Sequence, residues 1–275
     1  MTDAASQLTP ARGSVLWKLP PALLLSTSAF FLFALQWSVA GYASLAAALA
    51  ISVFIDRVLF RDLALIALGL LIISVVPLNA DLSISHMVFM GSALALAVIV
   101  PWSISRFLFH EKIIRFPVIT GKKWSLPAKL YLPGVVMLGY LILPVYLIST
   151  GVYRNWPDAS ADPSVFWRLF VGVNSVGIWD ELFFICIAFT LLRRHFPVWL
   201  ANLLQAVIFC SFLWEIGYQV WGPLLTFPFA LLQGYTFSLT KSLSYVVSVH
   251  LLFDFVLFLA LVHAHNRDWL AIFIY

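Results

Sequence analysis

The sequence contains little charge: only 10% of its 275 residues are Asp, Glu, Lys or Arg, whereas 63% are hydrophobic. Ordinary soluble domains carry about 25% charged residues, so this composition excludes a soluble globular protein. The mean hydropathy is +0.99, and apolar segments of about 20 residues recur along nearly the whole chain. No polar stretch is longer than a loop. The sequence therefore predicts a protein that crosses a lipid bilayer several times.

Cysteine is also scarce, since Cys186 and Cys210 are the only two and both lie within apolar runs. This excludes a fold held together by several disulfides and indicates small buried thiols instead. The sequence also contains no His-Glu-x-x-His motif, which excludes the commonest helical zinc-protease signature.

The apolar segments predict an all-α fold, a polytopic membrane helical bundle of about eight to nine transmembrane helices. Nine runs can be counted, at about 20–38, 41–55, 63–79, 85–104, 131–150, 165–191, 197–214, 222–240 and 243–263. Four regions are expected: a cytoplasmic tail at 1–19, transmembrane scaffold helices at 20–150 with a basic cytoplasmic loop at 105–130, a catalytic core at 165–263, and a C-terminal tail at 264–275.

The basic residues are distributed very unevenly over the alternating loops. Thirteen of the 16 Lys and Arg residues fall on one side of the predicted bundle, and Arg154, Arg168 and Arg267 fall on the other. Because Lys and Arg concentrate in cytoplasmic loops, the N-terminus is predicted to be cytoplasmic and the C-terminus to lie outside. We expect an integral multi-pass protein that is located in a bacterial inner membrane.

Ionisable residues are concentrated in the later runs. In the first four runs, Asp56 and Asp62 are expected at a membrane boundary beside basic residues, so these runs are interpreted as scaffold. Five ionisable groups from three later helices lie at membrane depth, where a charge costs at least about 2.5–3.5 kcal/mol. They are Asp180, Glu181, Glu215, His250 and Asp254.

Local geometry restricts how these groups can meet. Consecutive helical residues point about 100° apart, so Asp180 and Glu181 should not aim at one point. We expect one of them to face a cavity and the other to be held by a neighbouring donor. His250 and Asp254 are four residues apart and therefore share a helix face.

Two other interpretations of these groups stay open from the residues alone. Carboxylates in a membrane can pair with interhelical donors such as Asn174, Asn202 or Gln205, and a histidine in an apolar run can be a packing residue. Carboxylates with one His also suit a divalent metal such as zinc. Only one imidazole belongs to the set, so a metal-free site without a cofactor is favoured.

The order of these motifs resembles the CPBP intramembrane proteases, the CAAX-processing and bacteriocin-processing family. The family pattern is Glu-Glu-x-x-x-Arg, then Phe-x-x-x-His, then His-x-x-x-Asn or Asp, and the resemblance covers about 165–263. Asp180 replaces the first glutamate and Glu181 matches the second, whereas Ile185 stands where the family has arginine. Glu215 falls at the position of the second-motif histidine. His250 and Asp254 match the third motif in full.

The resemblance implies an intramembrane endopeptidase that cleaves a membrane-associated peptide or protein with a carboxylate-activated water. Asp180 would be the base with Glu181 as its orienting partner, and His250 and Asp254 would stabilise the oxyanion. The expected partners are the lipid bilayer and a membrane-embedded peptide, with no nucleic acid. Two alternatives stay open: a degenerate relative that binds or chaperones a membrane peptide, which the replaced arginine and histidine favour, and a proton-coupled carrier.

Overall fold

The computed structural model of the chain describes residues 12–120, 123–160 and 162–275. Within these ranges the regular structure is entirely helical, which confirms the all-α prediction. Nine long helices correspond to the nine predicted runs. They are α1 (Arg12–Ala29, continued by a π-helical turn Phe30–Ala34), α2 (Ser38–Ile55), α3 (Arg57–Ile73), α4 (Ile84–Ser103, continued by a π-helical turn Ile104–Leu108), α5 (Leu126–Thr150), α6 (Pro163–Asp180, continued through Glu181–Phe189 and Thr190–Leu192), α7 (Val198–Ile216), α8 (Pro223–Thr240) and α9 (Leu243–His265).

Seven helices among the described residues are long and apolar enough to cross a membrane. The other two are α3, which has 17 residues, and α8, which has 18. A polytopic helical bundle is therefore confirmed. Of the predicted tail at 1–19, residues 1–11 lie outside the described residues, and the rest begins α1.

The third helix, α3, begins and ends earlier than the sequence predicts. It begins at residue 57 rather than near 63, because the Asp56 carboxylate accepts hydrogen bonds from the backbone N–H groups of Val58 and Leu59, a typical N-cap. Asp62 consequently lies inside α3 and is only 2% exposed. This burial is not expected from the basic neighbours of Asp62 in sequence. Two residues that follow α6 bind the buried carboxylate. Nη1 of Arg194 lies 2.9 Å from its Oδ1, and Nε2 of His195 lies 2.7 Å from its Oδ2.

The central helix of the bundle is α6, which contains a π-helical segment from Glu181 to Phe189. This segment has i→i+5 geometry, which is rare and is often found at functional sites. All nine of its residues except Leu182 are at most 2% exposed. The indole of Trp179 stacks on Phe183 at 5.2 Å, and Phe184 stacks on Phe209 of α7 at 4.5 Å. The segment is thus fixed by aromatic packing on several sides.

Helices α3 and α4 hold α6 directly. Trp179 donates its indole N–H to the backbone oxygen of Leu94 on α4 at 2.7 Å. On α3, a Cβ at Gly69 would overlap the ring of Phe183, so the absence of a side chain there lets the π-helical segment approach. The N-terminal helices therefore position the part of α6 that carries Asp180 and Glu181.

Candidate active site

His250 on α9 is bound by the second carboxylate of α6. Its Nδ1 lies 2.7 Å from Oε1 of Glu181, and both side chains are buried, at 4% and 0% exposure. Phe229 packs edge-on against the imidazole at 4.9 Å. A histidine whose Nδ1 is held by a carboxylate has a fixed ring orientation and directs its other nitrogen elsewhere.

The other ring nitrogen faces the remaining two acids. Nε2 of His250 lies 3.7 Å from Oδ2 of Asp180 and 3.7 Å from Oδ1 of Asp254. Asp180 and Asp254 are only 1% and 4% exposed, and Oδ1 of the first and Oδ2 of the second have no hydrogen-bond partner among the described residues. Buried polar atoms without a hydrogen-bond partner are uncommon in folded proteins, and a catalytic role or an ordered water often explains them.

The two adjacent carboxylates thus approach one imidazole from opposite sides. The 100° offset between neighbours on α6 does not prevent this, because the two nitrogens of the ring point in different directions. The two acids approach different atoms of the ring, so they do not aim at one point. Asp180 lines a cavity, whereas Glu181 is held by donors. The sequence analysis expects this arrangement, with one acid facing a cavity and the other held by a donor.

The second donor to Glu181 is Gln233 of α8, which the sequence analysis missed. Its Nε2 donates to Oε1 of Glu181 at 2.6 Å and to the backbone oxygen of Val246 at 3.1 Å, and the residue is fully buried. Ile185, at the position of the family arginine, is buried in the apolar interior. A neutral amide therefore contacts Glu181, and an apolar side chain stands where the family pattern has a cation.

Close approach of α6 to α9 completes the cluster. A Cβ at Gly177 would overlap Oδ2 of Asp254 and would lie 3.1 Å from Cδ2 of His250. Gly177 stands one turn before Asp180 on α6. Its missing side chain is what allows the histidine and both aspartates to share one site.

A cavity of about 500 Å³ adjoins the cluster. Asp180, His250 and Asp254 form part of its wall, and the rest is mainly apolar. The apolar part comes mainly from α4, α6, α8 and α9, and includes Met87, Met90, Leu94, Val176, Phe229 and Phe253. A mostly apolar pocket with a few converging polar groups is the usual form of a binding or catalytic site.

Glu215 lies apart from this cluster. Its Oε1 accepts a long hydrogen bond, 3.4 Å, from the backbone N–H of Leu78, and the side chain is only partly buried. Within the described residues no hydrogen bond joins it to the other four groups, and it does not line the cavity. The structure therefore gathers Asp180, Glu181, His250 and Asp254, while a catalytic role for Glu215 stays a prediction.

Within the part of the chain that the structure describes, no group of three or more His, Cys, Asp or Glu residues has an arrangement that could hold a metal ion. The cluster combines two hydrogen-bonded groups, Glu181 and His250, with Asp180 and Asp254, two acids that line the cavity. Carboxylate and imidazole groups in hydrogen-bonding contact are able to transfer protons.

Residues 162–256 match the protein family described as Type II CAAX prenyl endopeptidase Rce1-like. The match covers about a third of the chain and contains all four clustered residues. It confirms the resemblance to the CPBP proteases that the motifs predict. No curated protein and no solved structure matches the chain significantly.

Proposed function

We propose that this integral membrane protein is an intramembrane endopeptidase that cleaves a membrane-embedded peptide. One segment of the chain matches the Rce1-like prenyl endopeptidases, which supports the proposal. The observation that carries the proposal is the position of Asp180, a buried carboxylate with one unpartnered oxygen, on the wall of a mainly apolar cavity. A general base needs access to its water and an environment that raises its basicity above that in bulk solvent.

The roles of the four residues follow from their contacts. Asp180 accepts a proton from a water in the cavity, and the resulting hydroxide attacks the carbonyl carbon of the scissile peptide bond. The same carboxyl group then gives the proton to the leaving amine. Because Glu181 accepts from Nδ1 of His250, the doubly protonated ring has its Nε2–H free to donate to the oxyanion. Asp254, in its protonated form, would supply a second donor.

The cavity also suggests the kind of segment that is cleaved. Its wall is mostly apolar, and hydrogen-bonding groups are concentrated at the end that holds Asp180 and His250. An apolar peptide segment, or one that carries a lipid as the family description implies, would bury its apolar part against α4 and place a backbone carbonyl at the polar end.

Co-expression with tagged membrane substrates tests this proposal. We expect a shortened product with the parent chain and little product with His250→Ala, since removing an oxyanion donor costs about 10²–10³-fold in rate. The amount of variant in the membrane, measured by immunoblot, controls for folding. Binding of the same substrates by both proteins without cleavage by either would favour the degenerate relative that binds a membrane peptide.

Gln233→Leu should lower kcat/KM about tenfold or more. The substitution removes a donor to a carboxylate, an interaction that contributes about 1.5–3 kcal/mol, and frees Glu181 to move away from His250. Gln205→Leu is the matched control. Gln205 is also a fully buried glutamine whose Nε2 donates to two acceptors, the Asn202 side chain and the backbone oxygen of Ala230 on α8, but it does not contact the cluster.

Thermal melting of the purified proteins separates positioning from stability. Both glutamine variants should melt at a lower temperature than the parent, and only Gln233→Leu should lose cleavage. In a Glu181→Gln background, Gln233→Leu should have little further effect on cleavage, because the carboxylate through which it acts is gone. Additive losses would assign Gln233 a structural role only.

A further inference from the structure

The two sets of loops predicted to lie on opposite sides of the membrane gather at opposite ends of the bundle. At one end a charged network joins α1, α3 and the segments after α4 and α6. It links Lys18 to Asp56 and His195, His195 to Asp62, and Arg194 to both Asp62 and Glu111. We call this the basic end, since nearly all of the Lys and Arg residues belong to loops on this side.

Different contacts join the loops at the other end. Arg168 of α6 donates to the backbone oxygen of Leu82 at 2.7 Å, and Asn155 donates to the oxygen of Gly217 at 3.1 Å. His265 at the end of α9 lies 2.9 Å from the oxygen of Trp156. This charge-poor end is therefore formed by the loops after α3, α5, α7 and α9.

The cavity reaches the charge-poor end. Its wall includes the loop segment 79–82, in which Asp81 is exposed, together with Trp156 and Tyr218. In the opposite direction the π-helical segment from Glu181 to Phe189 lies between the cluster and the basic end, and it is almost completely buried. Among the described residues, the route from Asp180 to bulk water thus leads toward the charge-poor end.

Loops rich in Lys and Arg stay in the cytoplasm. From the position of the cavity and this charge asymmetry together, we infer that the catalytic cavity opens to the extracytoplasmic side of the membrane. If the proposed peptidase function holds, the substrate is a membrane-anchored peptide segment that enters from the outer leaflet. A lipid-modified tail presented from the cytoplasm would reach the closed, basic end instead.

Cysteine accessibility tests the side of opening without any need for activity. Ala80 lines the cavity at its outer rim, and Val118 lies exposed in the loop at the basic end. In bacterial cells that express Ala80→Cys, a membrane-impermeant maleimide should label the intact cells as fully as lysed cells. Val118→Cys should be labelled only after lysis, and neither substitution changes a charge that determines topology.

The unsubstituted chain provides the background, because Cys186 is buried and Cys210 is half-buried. Labelling of Ala80→Cys only after lysis would overturn the inference. If Ala80→Cys reacts in neither preparation, Asn79→Cys, at an exposed position that also lines the cavity, is read in the same way. Labelling from outside in a protein that cleaves no substrate would reject the proposed function and leave the side of opening intact.

Discussion

Asp180→Asn should lower the rate of peptide cleavage by about 10²-fold or more, because it removes the proposed general base while keeping the shape of the side chain. Asp180 is the carboxylate of the α6 pair that lines the cavity, and its Oδ1 has no partner among the described residues. An amide in its place cannot accept a proton from water. Membrane insertion and melting temperature should stay close to those of the parent.

Glu181→Gln is the matched comparison for this result. Glu181 lies beside Asp180 but is fully buried, and its Oε1 is already occupied by His250 and Gln233. Its removal should reduce cleavage by disturbing the imidazole, and the loss should be smaller than that of Asp180→Asn. The reverse order would make Glu181 the base, and parent-like rates in both variants would contradict the peptidase proposal.

Gly177→Ala should also abolish most of the activity, although alanine favours a helix over glycine by about 0.5–1 kcal/mol. The new Cβ would overlap the Asp254 carboxylate and crowd His250, so one or both must move. A displacement of about 1 Å in a catalytic group can cost about 10²-fold in rate. The measurement is cleavage per molecule of membrane-inserted protein.

Gly134→Ala on α5, away from the cavity wall, is the control. A Cβ there would meet no other atom within 4 Å. This variant should also benefit from the higher helix propensity of alanine, and it should cleave at the parental rate. If both alanine variants cleave at the parental rate, the close approach of α6 and α9 at Gly177 does not determine the geometry of the site.

The residue types and spacing predict much of the candidate site. His250 and Asp254 share a helix face because they are four residues apart, and the structure places both beside the α6 carboxylates. Gln233 could not be assigned in the same way, since a single amide in an apolar run is typical of ordinary helix packing. Its contact with Glu181 depends on how α8 packs against α6, which local sequence does not encode.

Two other differences have the same physical origin. The alignment of Glu215 with a motif histidine predicts a group in the site, but the end of α7 directs this carboxylate to the backbone of Leu78. The sequence places Asp62 beside its basic neighbour Arg61, whereas its hydrogen-bond partners are Arg194 and His195, more than 130 residues away. Buried charges take partners from distant segments, and hydropathy along the chain does not reveal them.

Cleavage in H₂¹⁸O tests most directly the claim that the Asp180 cluster activates water for peptide hydrolysis. The purified protein and Asp180→Asn would each be incubated with a mixture of apolar membrane peptides, and the products analysed by mass spectrometry. The account predicts new carboxyl termini that carry one ¹⁸O with the parent and almost none with Asp180→Asn. Equal amounts of labelled product from the two proteins would contradict it.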